Sequence, residues 1–273
     1  MRIVAVAGLA LITFATGAFA GETGWQEIAP DTRLRLIASD ARTPDGKTYV
    51  ALELEMPHST KTYWRVPGET GIVTEVDFGG SDGIAGHRMV WPYPIIEHKD
   101  GYTDFVYRGP TVIPIELDAG SGSAVVQASV LMGVCSDICV PAMADFTLPL
   151  DFSSPDAGQG LRISQALALA PIPWTGGPDP IGEVALDTAA ARLELKVDLA
   201  QVDPGSVIAD ATASGHLVGA PQKSPEPGLV SLPLIGGDDG AGLRGQPVRL
   251  IFMTPDGPYE VTRRVEASTP PGL

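Results

Sequence analysis

Short segments in which apolar and polar residues alternate recur along nearly the whole chain, at roughly ten-residue spacing and with turn-forming clusters between them. The pattern runs through Thr32 to Ile37, Thr48 to Met56, Val112 to Leu117, Ala124 to Val134 and Asp145 to Leu150. A second series covers Ala191 to Leu199, Val207 to Leu217, Leu229 to Leu234, Val248 to Met253 and Tyr259 to Val265. Period-two alternation puts successive side chains on opposite faces of a strand, so every segment has one face to bury. Pro44-Asp45-Gly46, the glycine-rich run Gly79 to Gly83, Asp203-Pro204-Gly205 and Pro255-Asp256-Gly257 supply the turns. An all-β chain of antiparallel β-sandwiches is expected. The 32 glycines and 25 prolines among 273 residues show no period, which excludes a collagen-like fibre and fits many tight connections.

The length suits two domains. Only Gly160 to Ala170 has a helical pattern, and it leads into Pro171 to Pro180, the densest Pro/Gly stretch of the chain, where the boundary is placed. The expected organisation is a first sandwich over 21–152, a linker with a short helix over 153–180, a second sandwich over 181–267 and an unstructured tail over 268–273. Residues 1–20 carry Arg2, then an uncharged apolar run, then Ala18 and Ala20 flanking Phe19. That is the form of a secretory leader cut after Ala20. No later stretch supplies the ~20 apolar residues of a spanning helix, so no direct membrane insertion is expected. With 18 basic against 33 acidic residues and no basic stripe, nucleic acid and anionic lipid are excluded as partners.

The chain has only two cysteines, Cys135 and Cys139, in Val134-Cys135-Ser136-Asp137-Ile138-Cys139-Val140-Pro141. A strand ends at Val134 and Pro141 blocks a helix, so the pair flanks a tight turn, across which a disulfide is geometrically easy. Closing a loop of about five residues stabilises a fold by only roughly 2 kcal/mol, which makes a purely structural staple a poor explanation. Short-loop disulfides are among those most readily exchanged. Three uses remain open on these residues alone: redox exchange, an inert bridge, and a Cu(I) site in which Met132 and Met143 add soft thioether ligands to Cys135 and Cys139. Histidines His58, His87, His98 and His216 are scattered, and no cofactor is expected. Asp137 inside the loop and Asp145 nearby are expected to disfavour the thiolate and slow its attack on arbitrary disulfides.

The ordered set Lys61-Thr62-Tyr63-Trp64-Arg65-Val66-Pro67-Gly68-Glu69-Thr70-Gly71, Val90-Trp91-Pro92-Tyr93-Pro94, Gly101-Tyr102, Val112-Ile113-Pro114-Ile115 and Gly133-Val134-Cys135 through Cys139-Val140-Pro141-Ala142 resembles the N-terminal periplasmic (alpha) domain of the DsbD and ScsB thiol:disulfide interchange proteins. The resemblance spans about residues 25 to 152, with the ScsB-like branch closer because it too has a C-x-x-x-C-x-P-A site and a second β-rich region. It implies two immunoglobulin-like antiparallel β-sandwich domains and a periplasmic electron carrier of the protein-disulfide reductase type. In it Cys139 is the exchanging sulfur and Cys135 the resolving one. It also implies a cap loop matching Trp91 to Tyr102, with Tyr93, Ile96 and Tyr102 as candidate lids and Tyr63 as a lining residue. The implied partners are thioredoxin-fold periplasmic proteins, and the implied settings are cytochrome c biogenesis, isomerase upkeep or copper tolerance. Full members continue into transmembrane helices and a thioredoxin-like domain. Here no C-x-x-C follows, so a separate membrane-embedded donor is expected.

Overall fold

A computed structural model describes residues 21–99, 101–222, 224–237 and 239–267. The expected leader over 1–20 and the expected tail over 268–273 lie outside the described residues. The first half contains, in chain order, β1 (Gln26–Ala29), β2 (Thr32–Ala38), β3 (Lys47–Glu55), β4 (Lys61–Gly68), β5 (Glu75–Asp77), β6 (Ile84–Met89), β7 (Ile95–Lys99), β8 (Tyr102–Arg108), β9 (Thr111–Ala119), β10 (Ala124–Cys135) and β11 (Cys139–Leu150). They form two sheets, one ordered β1-β2-β3-β9-β6 and the other β11-β10-β4-β8-β7 with β5 on the side of β10. Every ladder in them is antiparallel. The inner faces meet in one core that includes Leu34, Leu36, Leu52, Leu54, Trp64, Phe105, Ile113 and Ile115. The chain is all-β and immunoglobulin-like in fold, as its alternation requires.

The one α-helix among the described residues, α1 (Ala157–Leu167), begins three residues before the expected Gly160. The Asp156 carboxylate accepts from the Gln159 amide at 2.9 Å and caps it, so the helix starts at the cap and not at the first leucine. Nor does α1 act as a free spacer. Ile163 and Leu167 pack on Ile37, Ala51 and Val112, which point outward from β2, β3 and β9. The helix therefore covers the outer face of the first sheet and leaves only the segment after it to connect the two halves.

The second half contains β12 (Ile172–Pro173), β13 (Ile181–Asp187), β14 (Arg192–Val197), β15 (Ile208–Asp210), β16 (Leu217–Val218), β17 (Leu229–Ile235), β18 (Pro247–Thr254) and β19 (Gly257–Ala267). Their order is β15-β18-β19-β13-β14-β17-β16, and β12 and β13 pair with β19 in parallel. The segment Val207 to Leu217 is not one strand. At Asp210 the side chain takes hydrogen bonds from the Thr212 amide (3.2 Å) and hydroxyl (2.6 Å), and a short 3-10 turn over Thr212–Ser214 follows, so β15 and β16 are separate. Local side-chain bonding overrides the alternation there. The halves are joined by more than the chain: Ile208 and Ile251 extend the first core, and Arg65 on β4 pairs with Asp210 at 2.9 Å. No described helix is long and apolar enough to cross a membrane.

Candidate functional site: the hairpin tip carrying the cysteine pair

Strands β10 and β11 form a hairpin of twelve consecutive residue pairs without a register slip, from Ala124 opposite Leu150 to Cys135 opposite Cys139. The ladder ends in a turn of Ser136, Asp137 and Ile138, whose first amide donates to the Ile138 carbonyl at 3.3 Å. That turn makes a four-residue separation equal to one rung, and Cys135 and Cys139 are joined by a disulfide (S–S 2.01 Å, Cα–Cα 4.0 Å). Position in the sheet makes the two sulfurs unequal. On β10, Cys135 is also opposite Lys61 of β4, so it lies inside the sheet and is 1% exposed. Cys139 is on the edge strand β11 and is exposed, as are Ile138 before it and Val140 after it.

Beneath the bridge is Tyr63, with its hydroxyl 2.9 Å from Cys135 Sγ and 3.3 Å from Cys139 Sγ. Disulfide sulfurs carry no proton, so the phenol is the donor to both. Burial pushes the Tyr63 phenol above its ordinary pKa, and the hydroxyl keeps its proton for that role. With Val106 and Cys135 the ring forms a small core of its own. Two glycines fit it there. A Cβ on Gly71 would lie 2.3 Å from Tyr63 Cδ1, and one on Gly133 would lie 3.0 Å from Cδ2 and 2.9 Å from Ile72 Cβ. Any side chain at either position would displace the ring.

One end of this floor is held by charge. The Lys61 ammonium lies 5.5 Å from the Tyr63 ring centroid and bonds Glu97 (2.7 Å) and Asp104 (2.9 Å). Glu97 accepts from Arg108 Nε at 2.8 Å, and Asp104 accepts from the Thr70 amide (3.0 Å) and hydroxyl (2.6 Å). Burial opposes ionisation of all three titrating groups, yet the hydrogen bonds outweigh it. Lys61 stays above its usual range, and Glu97 and Asp104 stay below theirs. The cysteines thus sit beside a charge-balanced set of two cations and two carboxylates.

The other sequence-derived candidates are placed elsewhere. Tyr93 packs against the main core and its hydroxyl donates to the Ser206 carbonyl, which puts it at the junction of the two halves. Ile96 also packs against the main core. Tyr102 is 54% exposed at the turn between β7 and β8, opposite Lys99. Within Trp91 to Tyr102, the residue joined to the site's framework is Glu97, through Lys61. Asp137 is exposed in the turn. Asp145 is not nearby as expected: it is opposite Ser129, six rungs below the disulfide, or about 20 Å at ~3.4 Å per residue. Met132 and Met143 do not converge on the sulfurs. Met132 is fully buried in the core while Met143 is 79% exposed on the outer face, because neighbouring rungs alternate faces. Among the described residues no group of three or more His, Cys, Asp or Glu side chains could hold a metal ion. Lys61, Glu97, Asp104, Gly71 and Gly133 escaped the sequence reading as site residues. A glycine in a strand interior two residues before a cysteine was the signal for a close approach.

Fold and site together define a class: an immunoglobulin-like sandwich that presents a disulfide at a hairpin tip, with one sulfur guarded and the other open. The family model described as thiol:disulfide interchange protein DsbD, N-terminal, matches residues 33–151. Residues 33–151 form a DsbD-type N-terminal domain, a thiol:disulfide interchange module with its cysteine pair. In fold the chain is similar to the crystal structure of the N-terminal periplasmic domain of ScsB from Proteus mirabilis, at TM-score 0.72 and 22% identity. That match covers 92% of this chain and 100% of that one, so the likeness in fold includes the second sandwich. The GAE domain of GGA2p from Saccharomyces cerevisiae aligns over 47% of this chain and 98% of its own at 12% identity and TM-score 0.26. No curated protein matches the chain.

Proposed function

We propose that this chain is a periplasmic relay of reducing equivalents, in which Cys139 exchanges with thioredoxin-fold partners and Cys135 resolves the mixed disulfide. The observation that carries the proposal is the asymmetry of the bridge: one sulfur exposed on an edge strand, the other buried and hydrogen-bonded to a phenol. In the reduced protein the Cys139 thiolate attacks a partner disulfide, forming a Cys139–partner bond and releasing one partner thiolate. The Cys135 thiolate then attacks Cys139 Sγ, closes the Cys135–Cys139 bond and expels the second partner thiolate. Two electrons leave this chain for the partner, and the partner thiolates take up the protons given up by the two cysteines.

Tyr63 serves the second step. Its hydroxyl donates to whichever sulfur carries the charge, and does so at a site where the nearby charges balance. Cys135 is thereby poised to attack without exposure to small oxidants. Exposed Ile138 and Val140 flank the open sulfur and offer an apolar contact for a docking partner. DsbD-type proteins work with thioredoxin-like partners in general. A separate membrane-embedded protein is the source of electrons in this scheme.

Trapping tests the assignment. Cys135→Ser should accumulate a covalent complex with a thioredoxin-fold protein, and the double Cys→Ser variant should form none. Accumulation with Cys139→Ser alone reverses the two roles.

A further inference from the structure

The first described residue, Gly21, is buried and tightly held. Its carbonyl accepts from the Ala38 amide at 2.7 Å, and its φ of +83° lies in the left-handed region that favours glycine. A Cβ at Gly21 would lie 2.7 Å from Asp156 Oδ2 and 2.9 Å from Asp156 Cβ, so the Asp156 carboxylate rests against the Gly21 backbone. Asp156 Oδ1 is already used to cap α1 at the Gln159 amide, and the Asp156 amide donates to the Ser39 carbonyl at 3.1 Å.

Around this contact the acceptors outnumber the donors. Asp40, next to Ser39, is fully buried; its Oδ1 accepts from the Asp151 amide at 3.2 Å, and its Oδ2 has no partner. The Gln159 amide donates to Glu22 while its Oε1, also buried, has no partner. Burial pushes the Asp40 carboxyl up to about 6 against the Asp151 amide bond, and the charges of Asp151 and Asp156 add to the rise. Neighbouring cations bond elsewhere: Arg35 to Glu22 and Glu53, Arg162 to Glu53, and Arg42 to the Ser121 and Gly122 carbonyls, with Arg42 Nε left unpartnered. Two buried acceptors beside Asp156 thus lack a donor, and the backbone that Asp156 Oδ2 itself rests against is that of Gly21.

We infer that this donor is the α-ammonium of Gly21 itself, created when the leader is removed after Ala20, and that it locks α1 onto the first sandwich. Hydrolysis of the Ala20–Gly21 amide by a leader peptidase leaves a carboxylate on Ala20 and, after proton uptake, an ammonium on Gly21. Its N–H donors are set beside the Asp156 carboxylate, against which the Gly21 backbone already lies. The inference rests on the expected cleavage position, so the experiment separates the two.

The exported chain is first weighed intact to read its N-terminus. A start other than Gly21 overturns the inference at the level of processing. With Gly21 first, NMR titration of its α-amino group should show a midpoint about one unit above the ordinary ~7.7–8.0, equal to a tenfold preference for the ion. A midpoint at the ordinary value overturns the ion pair. The second arm is Asp156→Asn, which keeps the cap but removes the charge. It should lower the melting temperature of the mature chain and leave that of an Nα-acetylated mature chain unchanged. Equal losses in both chains mean that Asp156 acts only as a cap, which also overturns the inference.

Discussion

Replacing Tyr63 with Phe isolates the contribution of one hydroxyl, because the ring stays wedged between Gly71 and Gly133 and only the bonds to Cys135 (2.9 Å) and Cys139 (3.3 Å) are lost. In the proposed mechanism the Cys135 bond is made, in the reduced protein, to a buried thiolate. Hydrogen bonds to charged groups contribute about 1.5–3 kcal/mol. At ~1.4 kcal/mol per unit, the lower figure moves the pH midpoint of Cys135 alkylation up by about one unit and cuts the thiolate fraction near neutrality roughly tenfold. A more basic thiolate is a better nucleophile. With a Brønsted slope of ~0.4–0.5 it regains about threefold, so the resolving step slows by about threefold overall. Alkylation of Cys135 against pH in a Cys139→Ala background gives the midpoint, and rapid-quench analysis of the mixed disulfide in the otherwise unaltered chain gives its lifetime. An unchanged midpoint together with an unchanged lifetime refutes the role given to the phenol.

Gly133→Ala should reproduce that slow resolution by pushing the ring away, and should cost about 1–3 kcal/mol in denaturant unfolding as an overpacked position. Arg65→Ala leaves the Asp210 carboxylate poorly exposed and without its cation, and should cost about 3–5 kcal/mol and split the calorimetric transition in two. Adding Asp210→Ala should recover part of that loss. At Glu116, burial raises the carboxyl, but hydrogen bonds from Lys47, Tyr49 and Arg88 outweigh it and hold the group at about 2. A depressed carboxyl stabilises the fold above its unfolded value of 4.5, and that contribution is lost as pH falls from there through about 2. Acid unfolding of Glu116→Gln should therefore lack the part of the stability loss that falls in this window.

Much of the sandwich was legible because alternation records which face is buried. Leu34, Leu36, Leu52, Leu54, Ile113 and Ile115 are all core. The short edge strands were not. β5, β6 and β7 bury little, so their residues show no strong period. The cysteines were readable from spacing, since a three-residue turn turns a separation of four into a single rung. Their surroundings were not, because Lys61, Glu97 and Asp104 come from three strands that only the sheet order brings together. Aromatic or apolar character marks the lid candidates on 91–102, yet the connection to the site is made by the Glu97 carboxylate. Tyr93 spends its polar end on the second half instead.

Reversible opening of the Cys135–Cys139 bridge is tested most directly by equilibrating the purified chain in glutathione buffers of graded ratio, with thiols counted by mass after quenching. Conversion between disulfide and dithiol within the range those buffers span is the predicted result. A bridge that stays closed at every ratio, with a potential below about −300 mV, would contradict it and leave an inert clasp.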